Sequence, residues 1–440
     1  MKNMDNVLLI NLPLSSNMKG LIRSINSMPP LGLLYIGAYL KVNSIDYKIF
    51  DFAVETIKKD EFISFLLKFK PRIIGLSTYN ETWESQKVIS KLIKKILPEC
   101  IIVAGGAFAT FCYKEMFEEK IVDYVIRGEG EVAFYQLYNS IVNNDHKSIE
   151  FISGLVYLGK NGNIIVNSMQ RIKELDELPY PDREAINLKN YLIPFTISTA
   201  RGCVGDCIFC SSRAFWGKSI YMRSAENILK EIMYLHEKYN ENVFYFSDDA
   251  FTLNKKRAIE FCEKVIESKK KFTFGFESRA DVIDEQFLAL LSQAGFKKIQ
   301  IGLESADNNI LKLLKKKVTI EQIENAIKLA YKYQMHISVS YIVGHAFDTE
   351  ETVEKTLDYI RHIQKEYKAY TMVSVNTPFP GTEQYERKNE LGIKIFTENP
   401  DDYRLYNPII STNNLSIDRI KVLYERAVSI STYGNKKTIY

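Results

Sequence analysis

The 440-residue chain has no apolar run approaching the roughly 18–20 residues that a membrane-spanning helix needs. Near its start, Val7-Leu-Leu-Ile10 is only four residues before Asn11, too short for the core of a secretory signal. Cysteine is scarce, with six residues, far from the density of a secreted disulfide scaffold. Neither sign of charge predominates: 58 Lys and Arg face 54 Asp and Glu, a net charge of +4. So even a balance supplies no basic surface for nucleic acid. These absences predict a cytoplasmic protein with no membrane span, no nucleic-acid partner and reduced cysteines. Reduced cysteines lying close together are then ligands or catalysts, not bridges.

What is present is an ordinary globular composition, 46% hydrophobic and 25% charged, with length for two to four domains at roughly 100–200 residues each. Over residues 1–150, apolar runs read as strands alternate with helical patterns. The strands are Val7–Leu12, Tyr47–Phe50, Arg72–Ser77, Ile101–Ala104 and Val122–Arg127. Between them, Leu31–Val42, Glu61–Phe69 and Ser85–Leu97 carry helical spacing, and a further helix runs to about Val142. That alternation implies an α/β domain with a parallel sheet covered on both faces. Residues 151–194 read as a linker holding a β-hairpin around Lys160-Asn-Gly-Asn163. From residue 195 to about 400 the alternation restarts with six strand–helix units, the pattern of a barrel or partial barrel. Residues 401–440 form a C-terminal extension with one helix, Ser416–Ser431.

The most informative segment is Arg201-Gly-Cys203-Val-Gly-Asp-Cys207-Ile-Phe-Cys210, which follows the first strand of the second domain. Three thiolates at this spacing can wrap an iron–sulfur cubane, each taking one iron and leaving the fourth iron open to a small molecule. Cys-x-x-Cys is also a zinc half-site, but structural zinc wants four ligands, and the closest downstream His or Cys is His236. Three reduced structural thiols are the remaining alternative. Cys100, Cys112 and Cys262 are scattered and cannot supply a second three-thiolate cluster. Cys262 lies mid-helix among apolar residues, and both it and Cys112 read as small packing residues. His336 and His345 flank the fifth strand of the second domain, and His345 follows Gly344 at a strand end where catalytic residues of such barrels gather.

The cysteine segment resembles the signature of the radical S-adenosylmethionine (SAM) superfamily, Cys-x3-Cys-x-aromatic-Cys, with Phe209 in the aromatic place. The resemblance implies a (βα)6 partial barrel and a [4Fe–4S] cluster on Cys203, Cys207 and Cys210. The open iron would hold SAM, and reduction would cleave it to methionine and a 5′-deoxyadenosyl radical that takes a hydrogen from substrate. Later segments fit the same family at successive strand ends: Ser247-Asp-Asp-Ala250, Glu277-Ser-Arg279, Gly302-Leu-Glu304-Ser305 and Gly344. Asp248, Arg279 and Glu304 are the SAM contacts it implies. Each could instead be an ordinary salt bridge or helix cap.

Taken alone, Gly105-Gly106 after a strand admits either a close ligand or a tight turn. Gly128-Glu-Gly130 lacks the third glycine of a dinucleotide fingerprint. Together with Pro29–Tyr35, Ile74–Thr78, Gly105–Thr110 and Arg127–Glu131, these segments resemble the Rossmann-like cobalamin-binding domain of the B12-binding radical SAM family. In that family Ser77, Gly105, Gly106 and Thr110 would line the pocket for the nucleotide tail of cobalamin, with Glu129 near it. One departure is visible. Many cobalamin domains ligate cobalt through the His of Asp-x-His-x-x-Gly, whereas the matching loop here, Asn11-Leu-Pro-Leu-Ser-Ser16, has none. His146, the histidine of this domain, sits in a polar tract and reads as a surface residue. Any cobalamin should therefore lack a His ligand, unless the domain has kept the fold and lost the cofactor.

The function implied is cobalamin-dependent methylation of an unactivated carbon. The alternative is a radical dehydration, oxidation, rearrangement or cyclisation without methyl transfer. The partners implied are a small-molecule or peptide substrate and an electron donor such as flavodoxin or ferredoxin.

Overall fold

The computed structural model describes residues 6–15, 28–55, 57–145 and 147–431, so Ser16 and His146 lie outside the described residues. The chain divides into two compact units, residues 1–194 and 195–440. No helix among the described residues is long and apolar enough to cross a membrane.

The first unit is built on one seven-stranded sheet. Its strands are β1 (Val7–Asn11), β2 (Tyr47–Asp51), β3 (Ile73–Ser77), β4 (Ile101–Gly105), β5 (Tyr124–Ile126), β6 (Leu155–Leu158) and β7 (Ile164–Val166). They lie in the order β2-β1-β3-β4-β5-β6-β7, and the first five are parallel. Side chains alternate across a strand, and β1 shows the result. Leu8 and Ile10 enter one core with Phe62 and Leu66 of helix Lys59–Phe69 and Ile93 of helix Trp83–Ile96. Val7 and Leu9 enter the other, with Leu33 and Leu34 of helix Leu31–Val42 and Phe134 of helix Glu131–Val142. A strand buried on both faces reads as a continuous apolar run, which is why Val7–Ile10 carries no polar alternation.

The hairpin expected as part of a linker is part of this sheet. β6 pairs antiparallel with β5, Tyr124 opposite Tyr157, and β7 pairs antiparallel with β6. The pairing covers what would otherwise be an open edge beside β5.

The second unit holds six parallel strands in chain order: β8 (Thr196–Ile197), β9 (Val243–Phe246), β10 (Thr273–Ser278), β11 (Phe296–Glu304), β12 (His336–Val343) and β13 (Tyr370–Val375). Helices connect them, as Ala225–Tyr239 does between β8 and β9, giving the (βα)6 partial barrel. One sheet face packs on the helices through a cluster of phenylalanines. Phe246 and Phe274 stack 5.4 Å apart, and Phe261 of helix Lys255–Glu267 meets Phe246 edge-on at 5.5 Å. Removing one such ring would cost about 3–5 kcal/mol. The C-terminal helix, Ile417–Ile430, belongs to this layer rather than standing apart as an extension. The Tyr341 hydroxyl on β12 donates to the Ala427 carbonyl at 3.2 Å and lies 2.8 Å from the Ser431 hydroxyl.

Candidate cofactor site

The cysteine loop leaves β8 and is held at several backbone points. Ile208 N donates to the Leu314 carbonyl at 3.2 Å, and the Ile208 carbonyl accepts from Gln384 N at 2.9 Å. Gly202 sits at φ +106°, where a Cβ would lie 2.8 Å from the Ser219 carbonyl, so the turn into the loop requires glycine. Cys203, Cys207 and Cys210 are unbridged and half-buried. An added Cβ at Gly205 would lie 3.4 Å from Cys203 Sγ, 3.8 Å from Cys207 Sγ and 3.6 Å from Arg279 Nη1, which brings these three side chains around one point. Burial pushes all three thiols up, Cys210 to about 11. Arg279 and Lys316 act against that shift at Cys203 and Cys207 by favouring the thiolate. Among the described residues no three ligands converge as one metal ion would require. A cubane asks for no such convergence, since each thiolate takes its own iron.

The expected SAM contacts fall in different places. Arg279 lies beside the thiols, with Nε and Nη2 each 3.0 Å from the Asp281 carboxylate and Nη2 donating to the Lys316 carbonyl at 3.0 Å. Glu304 ends β11 at φ +64°, buried, and accepts from Lys316 Nζ at 2.5 Å. Asp248, expected as a SAM contact, has its carboxylate committed to donors of its own unit. It is buried beneath the loop, where its carboxylate accepts from Thr199 N at 2.6 Å, Ala200 N at 3.0 Å and the Thr199 hydroxyl, with Arg257 at 4.0 Å. Its neighbour Asp249 is exposed, accepts from Ser212 Oγ at 2.5 Å and places its charge near Cys203 and Cys210.

Phe209, half-buried, packs against a small apolar cluster of Ile208, Ile310 and Leu314. Its ring lies 5.5 Å from that of His345, which is fully buried with neither ring nitrogen hydrogen-bonded. Burial, aided by Lys316, pushes the imidazole down to about 3, so it is neutral. Gly344, at φ +86°, and His345 both donate their amides to Asp348 Oδ2, at 3.0 and 2.9 Å. His336 is exposed at the opposite end of β12. Lys316 and Asp348 were not singled out in the sequence, and Asp249 stood there only within the segment Ser247–Ala250. Lys316 carried a faint signal in the run Lys315-Lys-Lys317 just after an apolar helix.

In the first unit, Ser77 and Gly105 end the paired strands β3 and β4, Ser77 opposite Gly105. Gly106 has φ +99°, and a Cβ there would lie 2.7 Å from the Thr78 carbonyl. Its freedom serves the chain's own close approach. At Gly105 the nearest neighbour of a Cβ would be the Ile126 carbonyl, at 3.7 Å, so glycine there is not demanded by packing. Two expectations change. Thr110 is fully buried, and its hydroxyl donates to the Gly106 carbonyl at 2.8 Å and accepts from Gly128 N at 3.0 Å, leaving it to stitch loops rather than line a pocket. Glu129 accepts from Arg171 Nε at 3.0 Å and Ile172 N at 2.8 Å, so it anchors the segment after β7. Cys112 and Cys262 are buried, their thiols pushed up to about 12, as packing residues.

Polar atoms without partners lie on the segment following β3. Among the described residues, Asn80 Nδ2, Gln86 Oε1 and Ser90 Oγ are buried without a hydrogen bond. Orphaned groups of this kind are costly unless a ligand or water meets them. At the carboxyl end of β1, where a cobalt-ligating His was absent from the sequence, Asn11 donates to Asp51 Oδ1 at 2.8 Å.

A family model described as the radical SAM superfamily matches residues 197–360, and one described as the B12 binding domain matches residues 20–138. A Pyrococcus horikoshii protein described as an uncharacterized methyltransferase is 30% identical over 98% of this chain and 93% of its own length. The anaerobic magnesium-protoporphyrin IX monomethyl ester cyclase of Rubrivivax gelatinosus is 27% identical over 90% of this chain and 73% of its own. Two solved structures share the fold. The radical SAM methyltransferase TsrM from Kitasatospora setae, with cobalamin and a [4Fe–4S] cluster bound, superposes with a TM-score of 0.76 at 16% identity, covering 97% of this chain and 88% of that one. The cobalamin-dependent radical enzyme OxsB with aqua-cobalamin bound gives 0.70 at 22% identity, covering 98% and 63%.

Proposed function

Because the chain belongs to the radical SAM family that carries an N-terminal B12-binding domain, we propose that it is a cobalamin-dependent enzyme that methylates an unactivated carbon. The observation that carries the reading is the trio of unbridged thiols, two of them beside Arg279 and Lys316, in a chain that also holds a B12-type sheet. The donor set fits a [4Fe–4S] cluster: three cysteines, one per iron, with guanidinium and ammonium charge favouring the thiolates. When bound, the cluster supplies the electron that opens the sulfonium of SAM, and cobalamin supplies a carrier for the methyl group.

The chain's own residues have simpler tasks. Asp249 accepts the ammonium of SAM at the exposed end of β9. Arg279 meets a carboxylate, its fork already oriented by Asp281. Phe209 and His345 form a dry floor beneath the loop, which excludes water from the reducing centre. In the first unit, Gly105 leaves its backbone open, and Gln86 and Ser90 offer buried polar atoms to a nucleotide tail. Asn11, at the carboxyl end of β1, is occupied with Asp51 and would not ligate cobalt. The same reading puts the enzyme in the reducing cytoplasm, with flavodoxin or ferredoxin as electron donor.

A second reading, radical cyclisation or oxidation without methyl transfer, is favoured by the cyclase likeness. Products separate the two. Protein loaded anaerobically with iron, sulfide and hydroxocobalamin is given SAM and a reductant. Methyl transfer yields S-adenosylhomocysteine as well as 5′-deoxyadenosine. 5′-Deoxyadenosine alone overturns the first reading in favour of the second.

A further inference from the structure

The face of the barrel sheet turned away from the helices is polar. On β9 and β10 the phenylalanines at 244, 246, 274 and 276 pack among themselves and, with Phe261, against the helix layer. Alternation therefore sends Tyr245 and Glu277 the other way, into the barrel lumen. On β11 the buried Ile299 and Ile301 continue the helix side, so Gln300, paired with Glu277, faces the lumen. On β12 Tyr341 is tied to the C-terminal helix, which turns Ser338 and Ser340 inward. Barrel interiors are ordinarily filled by Val, Ile and Leu. This one carries a carboxylate, an amide and hydroxyls, with Lys298 and Ile342 on the same face.

These groups are not satisfied within the protein. Among the described residues, the side chains of Gln300, Ser338 and Ser340 have no hydrogen-bond partner, although Ser338 is only 5% exposed. Asn376, next after β13 and 1% exposed, has Nδ2 buried without a partner. Glu277 has a single hydrogen bond, from the Tyr245 hydroxyl at 3.3 Å, and no cation. The charges that bear on it most, Asp249, Asp248 and Glu304, are all negative. Of the nearby cations, Arg279 is paired with Asp281 and Lys316 with Glu304, while Lys298 reaches the Tyr245 ring at 5.9 Å and makes no ion pair with Glu277 among the described residues. Buried polar groups are normally paired, so a lumen of partnerless hydroxyl and amide groups around a carboxyl group without an ion pair is a surface built for a ligand.

We infer that the substrate is a polar organic cation, an amine or guanidine that also carries hydroxyl groups, with its positive group on Glu277 and its hydroxyls on Gln300, Ser338 and Ser340. This rests on the radical SAM reading and adds the substrate class to it. A lipid or other wholly apolar substrate would leave these groups dry and unpaired, at a cost for each.

The test uses cluster-reconstituted protein and n-butylammonium as probe, with n-butanol as its neutral counterpart. Binding is followed by saturation-transfer NMR, with and without SAM, in wild type, Glu277→Gln and Glu277→Asp. The expected result is saturable binding of butylammonium and not of butanol, in the presence of SAM. Affinity should fall about tenfold or more in Glu277→Gln, the loss of one charge-assisted contact, and by less than about threefold in Glu277→Asp. SAM affinity should stay within about twofold throughout. Equal binding of the two probes, or unchanged butylammonium binding in Glu277→Gln, overturns the inference. Loss of SAM affinity in Glu277→Gln, with SAM displacing the probe, also overturns it and assigns Glu277 to the ammonium of SAM. Should Glu277→Gln fail to fold, Ser340→Val replaces it, with weakened binding of ethanolamine expected and unchanged ethanolamine binding contradicting the inference. None of these readings needs cobalt, so absence of S-adenosylhomocysteine would fail the methylation reading without touching this one.

Discussion

The hydroxyl of Tyr191 donates a 2.6 Å hydrogen bond to Oδ2 of Asp51, joining residues 140 positions apart. The other carboxylate oxygen accepts from Asn11 Nδ2 at 2.8 Å and Ala53 N at 3.0 Å, and Asp51 is fully buried. The pair ties the last segment of the first unit to the carboxyl ends of β1 and β2, where parallel sheets bind their ligands. Tyr191→Phe leaves a buried carboxylate short of a donor and should cost about 1–3 kcal/mol. Urea unfolding of the wild type and the variant checks this, and an unchanged midpoint would contradict it.

The two glycines after β4 should behave differently. Gly106→Ala places a Cβ against the Thr78 carbonyl at a positive φ and should cost about 2 kcal/mol or more in stability. Gly105→Ala has room for its methyl and should leave stability within about 0.5 kcal/mol of wild type while lowering cobalamin affinity. Thermal melts and cobalt content after desalting measure the two effects separately.

A similar division holds for the adjacent aspartates. Asp248→Asn breaks the buried group that holds Thr199 and Ala200 and should destabilise the second unit by about 3 kcal/mol. Asp249→Asn should leave the melting temperature unchanged and weaken SAM binding about tenfold. Calorimetric SAM titrations of both variants test the assignment.

Glu277 supplies a pH dependence. Burial and neighbouring carboxylates push it up to about 7 in the folded chain, against an ordinary value of 4.5. Between about pH 4.5 and 7 the unfolded chain releases a proton that the folded chain keeps, so this group removes stability as pH rises. Glu277→Gln abolishes the effect. The variant should match wild type near pH 4 and exceed it by about 2 kcal/mol at pH 8, as read by urea unfolding of the apoprotein.

The strand–helix alternation and the three cysteines were legible because each rests on local pattern: an apolar run such as Val7–Ile10, or thiols within one loop. Which atoms face the site was not, since that depends on partners distant in sequence. Lys316 meets Glu304 through a bulge in β11 between Gly302 and Glu304. Asp248 and Asp249 differ by one position in the bend after β9, yet the first is buried and the second exposed. Thr110 and Glu129 carry the residue types of a pocket, yet Gly128 N and Ile172 N have claimed their oxygens. The 151–166 hairpin showed its Asn-Gly turn in the sequence, but its pairing with β5 is a tertiary fact.

The proposed enzyme holds in one chain both an iron–sulfur cluster on Cys203, Cys207 and Cys210 and a cobalamin in its first unit. Metal analysis of anaerobically reconstituted protein, offered hydroxocobalamin and desalted, tests this most directly. About four irons and one cobalt per chain are expected. Loss of the iron is expected in Cys207→Ala, with both metals retained in Cys262→Ala. Four irons without cobalt, or iron retained in Cys207→Ala, would contradict the proposal.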